Sequence, residues 1–352
     1  MQEPVFRSGN VHNVISIDAE SISDLEISLG PGSVLHGSDA MGGVMHINTY
    51  DAHYGDSSEV LQSLVFSFAS QTAQLTRRPN FRMNYGGINW AGMTSITYSQ
   101  YSDIRMGKRV LAGTPVEDVN NMLFVCRPLS FGTLDTLVKA ENPYLQEYTG
   151  YEQRNFTQKF KFRVSERSEI KVGQYASLTS TINRYDRIIQ TKNGLPKYSV
   201  WEYGPQFWLM SFASFENRSI TKLSDWYKIT FSGQLYGESR NVRKYNNVIG
   251  RIQTERVNIG QLSFDASKKI SKSAQLTYGA EALTNTVGSS ALYYNQLNLE
   301  DTWSAQSRYA DGSIWNSASV FANTNIDLSP ALALSSGARL NAISMFTPIR
   351  FN

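Results

Sequence analysis

From about residue 58 onward, one device repeats along the chain: apolar and polar residues alternate strictly over long segments. In "YKITFSGQLY", Tyr227, Ile229, Phe231, Gly233 and Leu235 share one face, and Lys228, Thr230, Ser232 and Gln234 share the other. "KFKFRVS" sets Lys159, Lys161 and Arg163 against Phe160, Phe162 and Val164. In "SVFANTNIDLS", Val320, Ala322, Ile326 and Leu328 oppose Ser319, Asn323, Asn325 and Asp327. A period of two is that of an extended strand with one apolar and one polar face.

About eleven such segments can be marked, at 59–70, 78–86, 92–106, 151–165, 169–181, 206–218, 226–240, 255–268, 274–288, 314–328 and 332–345. Several exceed the five or six residues usual for globular strands. Segments of about ten residues, tilted by about 45°, suit a bilayer. The connections alternate in length. "GGINW", "ERSE", "KLSDW", "SKSA" and "SPAL" are short, whereas 107–150, 182–205, 241–254 and 289–313 are long. That alternation is the habit of an up-and-down membrane barrel, with tight turns at one end and longer loops at the other. The predicted wall is an open, curved antiparallel sheet.

Composition removes several alternatives. With 33 Lys+Arg against 30 Asp+Glu, there is no clustered basic excess of the kind nucleic acid requires. No apolar run approaches the roughly 18 residues of a membrane helix, but a barrel needs none, since only alternate residues face lipid. "MQEPVFRSGN" is not a secretory leader. The single cysteine, Cys126, allows no internal disulfide and reads as an isolated loop thiol. His12, His36, His46 and His53 are too scattered for a zinc motif, so no metal or cofactor is expected. No nucleophile–base–acid set stands out, and an enzyme is not expected.

Residues 1–50 have a different texture. "LGPGSVLHGSDAMGGVMHINTY" packs glycines and a proline into a turn, then becomes strand-like over "GGVMHINTY". "SVLHGSDA" is compatible with about two helical turns, with Ser33 as a possible N-cap. A phosphate cradle would need a P-loop Lys or a Rossmann spacing, and neither is present. On backbone grounds, Gly30 and Gly32 permit a turn, and Gly42 and Gly43 permit close passage along the barrel wall.

"DLEISLGPGSVLHGSDAMGGVMHINTY" resembles the end of the plug domain of TonB-dependent outer-membrane receptors, above all the cobalamin- and colicin-receptor-like subgroup in its Bacteroidetes form. The resemblance rests on Glu26, Gly30, Pro31, Ser33, Gly37, Ser38, Ala40, Gly42, Gly43, Val44, Ile47 and Thr49. "DIRMG" and "RYADGSIWNSASVFANTNIDLSPALALSSGARL" resemble barrel segments of the same set. The family often has Arg before Gly-Pro; here Leu29 stands there, which puts the family's plug–barrel ion pair in doubt. His36 replaces the usual aromatic.

The resemblance implies an all-β chain: a C-terminal remnant of a plug (1–50), with Gly30, Pro31, Gly32, Gly37, Ser38, Gly42 and Gly43 as its structural motif, followed by the N-terminal half of a barrel (51–352). It implies a central fragment of a longer receptor, without the TonB box, in the cell outer membrane. Its partners would be outer-membrane lipid, the TonB complex in the intact protein, a small-molecule or metal-chelate ligand (siderophore, haem, cobalamin or glycan) and a surface lipoprotein. Two loops are ligand candidates. Arg7, Ser8, Asn10 and His12 lie where the plug apex would face the outer pocket. In 182–205, Arg184, Tyr185, Arg187, Lys192, Lys197, Trp201 and Tyr203 interleave rings and cations. Tyr185, Arg187, Trp201 and Tyr203 read either as a pocket offering stacking and charge to an anionic or aromatic compound, or as part of an aromatic girdle at the membrane interface with surface loop charge. The rival readings are a passive porin or surface adhesin, and a soluble antiparallel β protein.

Overall fold

The structure, a computed structural model, describes residues 16–30, 32–37, 40–56, 60–72, 74–105, 107, 124–128, 135–139, 142 and 144–348. Its N-terminal part is a small antiparallel pair, β1 (Ile22–Leu29) with β2 (Gly43–Thr49), joined through the short helix α1 (Ser33–His36). Ser33 opens the helix rather than capping it: Gly32 holds the N-cap position and no side chain caps the turn.

Eleven long strands follow: β3 (Leu61–Gln71), β4 (Thr76–Gly86), β5 (Trp90–Tyr101), β6 (Tyr151–Ser165), β7 (Ser168–Thr179), β8 (Phe207–Asn217), β9 (Trp226–Lys244), β10 (Ile249–Lys269), β11 (Ala274–Asn295), β12 (Ser313–Ser329) and β13 (Leu332–Phe346). Each predicted segment coincides with one of them. Every strand pairs antiparallel with its sequence neighbours in an unbroken path from β3 to β13, and these two strands are the ends of that path.

The predicted long connections are where sequence and structure part. β9, β10 and β11 run for 19, 21 and 22 residues. The expected loop at 241–254 is therefore only the turn 245–248, and 289–313 carries a further strand, Asn298–Ser304, laid against β11. "ESRNVRK" has lost the apolar/polar contrast that marks a strand, yet its backbone stays laddered to β10 by register. Between β7 and β8, Tyr198–Tyr203 returns along the end of β9, and α2 (Tyr185–Ile188) precedes that strand in the chain.

Register turns the alternation into two faces. Ile229, Phe264, Ala280, Val320 and Leu340 form one row across β9 to β13. The row beside it reads Lys228, Asp265, Gly279, Phe321 and Arg339. The first row is apolar and open: Val320 is 55% exposed and Leu340 73%. The second faces α1, since Arg339 Nη1 donates to the Leu35 carbonyl. The polar face is thus the inner one. It is not uniformly polar, because Trp208, Tyr236, Val257, Ile259 and Leu283 bury one another there in a compact cluster.

Candidate functional site

Two places on the inner face bring chemistry together: the seam against residues 16–56, and the end of the sheet where the long connections lie.

At the seam, carboxylates come from the N-terminal segment and cations from the wall. Asp18 is buried; Thr97 Oγ1 on β5 donates to its Oδ2 at 2.6 Å, and the Glu20 amide donates to Oδ1 at 3.1 Å. Burial pushes the Asp18 carboxyl up, against these bonds. Arg78 on β4 pairs with Glu20 at 3.4 Å and donates to Tyr101 OH at 3.0 Å. The Arg82 guanidinium lies 3.5 Å from the centre of the Tyr50 ring.

Lys159 on β6 donates to Thr49 Oγ1 at 2.7 Å and to the carbonyl oxygens of Thr49 (3.2 Å) and Tyr50 (2.6 Å). Three donors meet three acceptors, which is what a buried ammonium needs. Next to it, Asp51 takes a hydrogen bond from Lys171 at 3.0 Å and an ion pair from Lys161 at 3.4 Å. Burial raises the Asp51 carboxyl, but Lys171, Lys161 and Lys159 outweigh it and hold it below its ordinary value. Beside the position where Leu29 puts the family's ion pair in doubt stands a different set, with acids at 20 and 51 and bases on β4, β6 and β7. The signal was present in sequence: Lys159, Lys161 and Lys171 alternate onto the polar face, and "SIDAES" and "TYDAHY" supply the acids.

Within the turn, Gly30, Gly37 and Gly43 take positive φ, at 100°, 92° and 153°. A Cβ on Gly43 would sit 2.6 Å from the Ser28 carbonyl, so the close passage is within the β1–β2 pair rather than along the wall. Gly42 has open space around it, and a Cβ on Gly32 would meet Val44. Pro31 and Ser38 lie outside the described residues, as do Arg7, Ser8, Asn10 and His12. His36 and His46 stand edge to face with ring centres 4.8 Å apart. Among the described residues, no group of three or more metal-ligating side chains converges, and no helix is long and apolar enough to cross a membrane.

At the far end, Tyr203 stands opposite Arg240 and Trp201 opposite Val242, so both rings continue the inner face of β9. The rings meet at 90° with centres 5.4 Å apart. Three guanidiniums surround Trp201: Arg184 at 5.2 Å, Arg187 at 5.9 Å and Arg240 at 5.1 Å. Arg184 and Arg240 also stand over Tyr203, at 5.7 and 5.6 Å. Asp186 takes two bonds from Arg184, at 2.7 and 2.8 Å, and lies 3.6 Å from Arg187. The structure therefore brings Arg187, Trp201 and Tyr203 together. Tyr185 shares α2 with Arg187, but no ring or cation contact joins it to the cluster among the described contacts. Arg184 and Arg240 complete the cluster; Arg240 joins it through the non-local pairing of Tyr198–Tyr203 with β9.

On the opposite side of the same strands, Arg243 and Asp135 form an ion pair with both side chains fully buried. Arg243 donates to the Asp135 carboxylate at 2.6 and 3.0 Å, and the Ser199 hydroxyl and Asn246 amide complete its shell. This fixes the hairpin of Phe124–Pro128 and Asp135–Lys139 beside the extended end of β9.

An antiparallel wall with an apolar outer face, a polar inner face and a small β-pair held on it defines a fold class: part of a large antiparallel β-barrel with a small domain packed on its inner face. Solved structures that superpose on it have this fold. The copper transporter OprC superposes with a TM-score of 0.64 at 9% identity, over 93% of this chain and 43% of that one. The ferripyoverdine receptor of the outer membrane of Pseudomonas aeruginosa gives 0.61 at 10% identity, over 93% and 42%. The Serratia marcescens hemophore receptor HasR gives 0.57 at 13% identity, over 92% and 40%. The chain thus spans less than half the length of these proteins, and at such identities the likeness is one of fold. No protein-family model and no curated protein matches the sequence.

Proposed function

We propose that the chain is part of a TonB-dependent outer-membrane receptor for active uptake of a scarce nutrient, of the cobalamin- and colicin-receptor-like subgroup. Residues 1–50 are read as the end of the plug and 51–352 as the N-terminal half of the barrel. One observation carries the reading: residues 20–49, which include β1, α1 and β2, are bonded to the inner face of the wall at β4, β6 and β13, and in a closed barrel a segment so held would lie across the path of a solute. A passive porin has no use for such an obstruction; an energised receptor must move it.

In this reading the exposed apolar row meets outer-membrane lipid. The ligand, a small molecule or metal chelate, enters at the end bearing Tyr185, Arg187, Trp201 and Tyr203, with Arg7, Ser8, Asn10 and His12 contributed from the plug apex. The TonB complex acts on the plug of the intact protein, and a surface lipoprotein is a candidate partner at the outer loops.

The test is genetic. The chain is joined downstream of a complete plug carrying a TonB box and upstream of a closing half-barrel, in a receptor-deficient bacterium. Ligand uptake is expected in cells with TonB and not in cells without it. Uptake that persists without TonB would identify a passive pore and sink the reading.

A further inference from the structure

The short connection 218–225, between β8 and β9, is tied to strands that are not its own neighbours. Lys268 on β10 donates to the Thr221 carbonyl at 2.6 Å, and Tyr278 on β11 donates to the Leu223 carbonyl at 3.0 Å. Lys268 also bonds Asp225 at 2.6 Å, and the Lys269 amide reaches the same carboxylate at 2.8 Å. Within the turn, Thr221 Oγ1 donates to the Ser224 carbonyl at 2.9 Å. Register tells which face the turn lies on. Tyr227, Ala266 and Tyr278 form one row, two residues along from the outer row of Ile229, Phe264 and Ala280. A period of two keeps both rows on the same face. The turn therefore reaches across β10 on the outer side, and Ala266 there has no exposed surface.

That position fixes a level. Phe215, Tyr227, Phe264 and Tyr278 make a chain of rings along this end of the outer face, with successive centres 6.1, 6.3 and 6.2 Å apart. Belts of tyrosine and other rings mark the boundary between an apolar band and the headgroups. Tyr278 gives its hydroxyl to the turn, so the turn lies in that boundary. Its two large apolar side chains are nevertheless uncovered: Ile220 is 77% exposed and Leu223 78%. A turn already tied down loses little freedom when such side chains bind. The nearby acids are neutralised, Asp225 by Lys268 and Glu216 by Arg218. Lys222, and Lys272 in the next short turn, are exposed and add positive charge.

We propose that the 218–225 turn is a membrane foot. Ile220 and Leu223 enter the glycerol–acyl boundary of the leaflet on the short-turn side, and Lys222 and Lys272 meet the phosphates of anionic phospholipids. The foot sets the depth at which the wall sits. The inference rests on reading the apolar face as lipid-facing, and adds to it a contact that the strands themselves do not make.

The experiment uses the full chain with Cys126→Ser, carrying a bimane label on one new cysteine at a time: Leu223→Cys in the turn, Leu262→Cys on the outer wall and Lys192→Cys at the long-connection end. The vesicles are phosphatidylcholine with phosphatidylglycerol, and a nitroxide is placed either near the glycerol or deep in the acyl chain. The label at Leu262→Cys is expected to be quenched by the deep nitroxide, that at Leu223→Cys by the shallow one, and that at Lys192→Cys by neither. Ile220→Cys serves as a second position should Leu223→Cys disturb the turn. Lys222→Gln with Lys272→Gln should lower the enrichment of nitroxide-labelled phosphatidylglycerol around position 223 severalfold. Unchanged enrichment would overturn the anionic class. Quenching at Leu262→Cys with none at Leu223→Cys or Ile220→Cys would overturn the foot and leave the lipid-facing wall intact. No quenching at Leu262→Cys would bring down the lipid-facing reading, and the foot with it. Disulfide-linked dimers of unlabelled Leu223→Cys, in the absence of quenching there, would assign the turn to a second copy of the chain and overturn the foot.

Discussion

Lys159 on the wall and Thr49 at the end of β2 are joined twice, through the threonine hydroxyl at 2.7 Å and its carbonyl at 3.2 Å. The same ammonium reaches the Tyr50 carbonyl, so one wall side chain fixes the point where the small β-pair gives way to the barrel. Tyr175 on β7 adds a hydroxyl contact to Thr49 at 2.9 Å.

Lys159→Met removes all three donors and leaves the carbonyls facing a methylene chain. A loss of about 2 kcal/mol is expected, the scale of hydrogen bonds to a charged group. Faster amide exchange across Gly43–Thr49, with the long wall strands unchanged, is the measurement; unaltered exchange would refute the role assigned to Lys159.

Asp51 gives the seam a pH dependence. Its carboxyl is held below the ordinary value of 3.8 by the neighbouring lysines. A group depressed on folding contributes stability above its unfolded pKa and loses it as pH falls through the folded one. The seam should therefore be intact at neutral pH and open only below about pH 4. Pepsin cleavage near Tyr50–Tyr54 should rise in that range, and Asp51→Asn should be cleaved already at about pH 5.

Gly43→Ala places a Cβ 2.6 Å from the Ser28 carbonyl at a φ of 153°. A cost of about 1–3 kcal/mol is expected, the usual scale of local backbone strain. Gly42→Ala, with open space around it, serves as the near-silent control. Equal effects of the two substitutions on β1–β2 amide protection would contradict the geometry.

Arg243→Met strands the Asp135 carboxylate in a dry site, a loss of about 3–5 kcal/mol for a buried pair deprived of one partner. The expected readout is faster proteolysis within 124–139. The double variant with Asp135→Leu should recover part of the loss, because the stranded charge is then gone as well.

The wall was legible because a period of two is a local property: Lys228 and Ile229 declare their faces without knowing their partners. The extended ends of β9–β11 were not, because alternation in hydropathy exists only where one face meets an apolar medium. Beyond that level Glu238, Arg240 and Arg243 are polar on either side, and the strand is held by its ladder and by contacts distant in sequence, such as that of Arg243 with Asp135. The mouth was half legible. Arg187, Trp201 and Tyr203 stand close in sequence, but Arg240 reaches them only because Tyr203 pairs with it across strands. The seam was not legible for a different reason. Leu29 puts only the family's own ion pair in doubt, and that Glu20 would meet Arg78 and Asp51 would meet Lys161 and Lys171 depends on contacts between residues 58 to 120 positions apart.

The pairing of every long strand with its sequence neighbours has a kinetic consequence. Such a wall can grow by adding one hairpin at a time, each step closing only a short stretch of chain. The inner segment has no such short route. Asp18 must wait for Thr97, 79 residues later, and Leu35 for Arg339, 304 residues later. The part synthesised first is therefore the part seated last, and until β13 arrives the segment is held by only some of its final bonds.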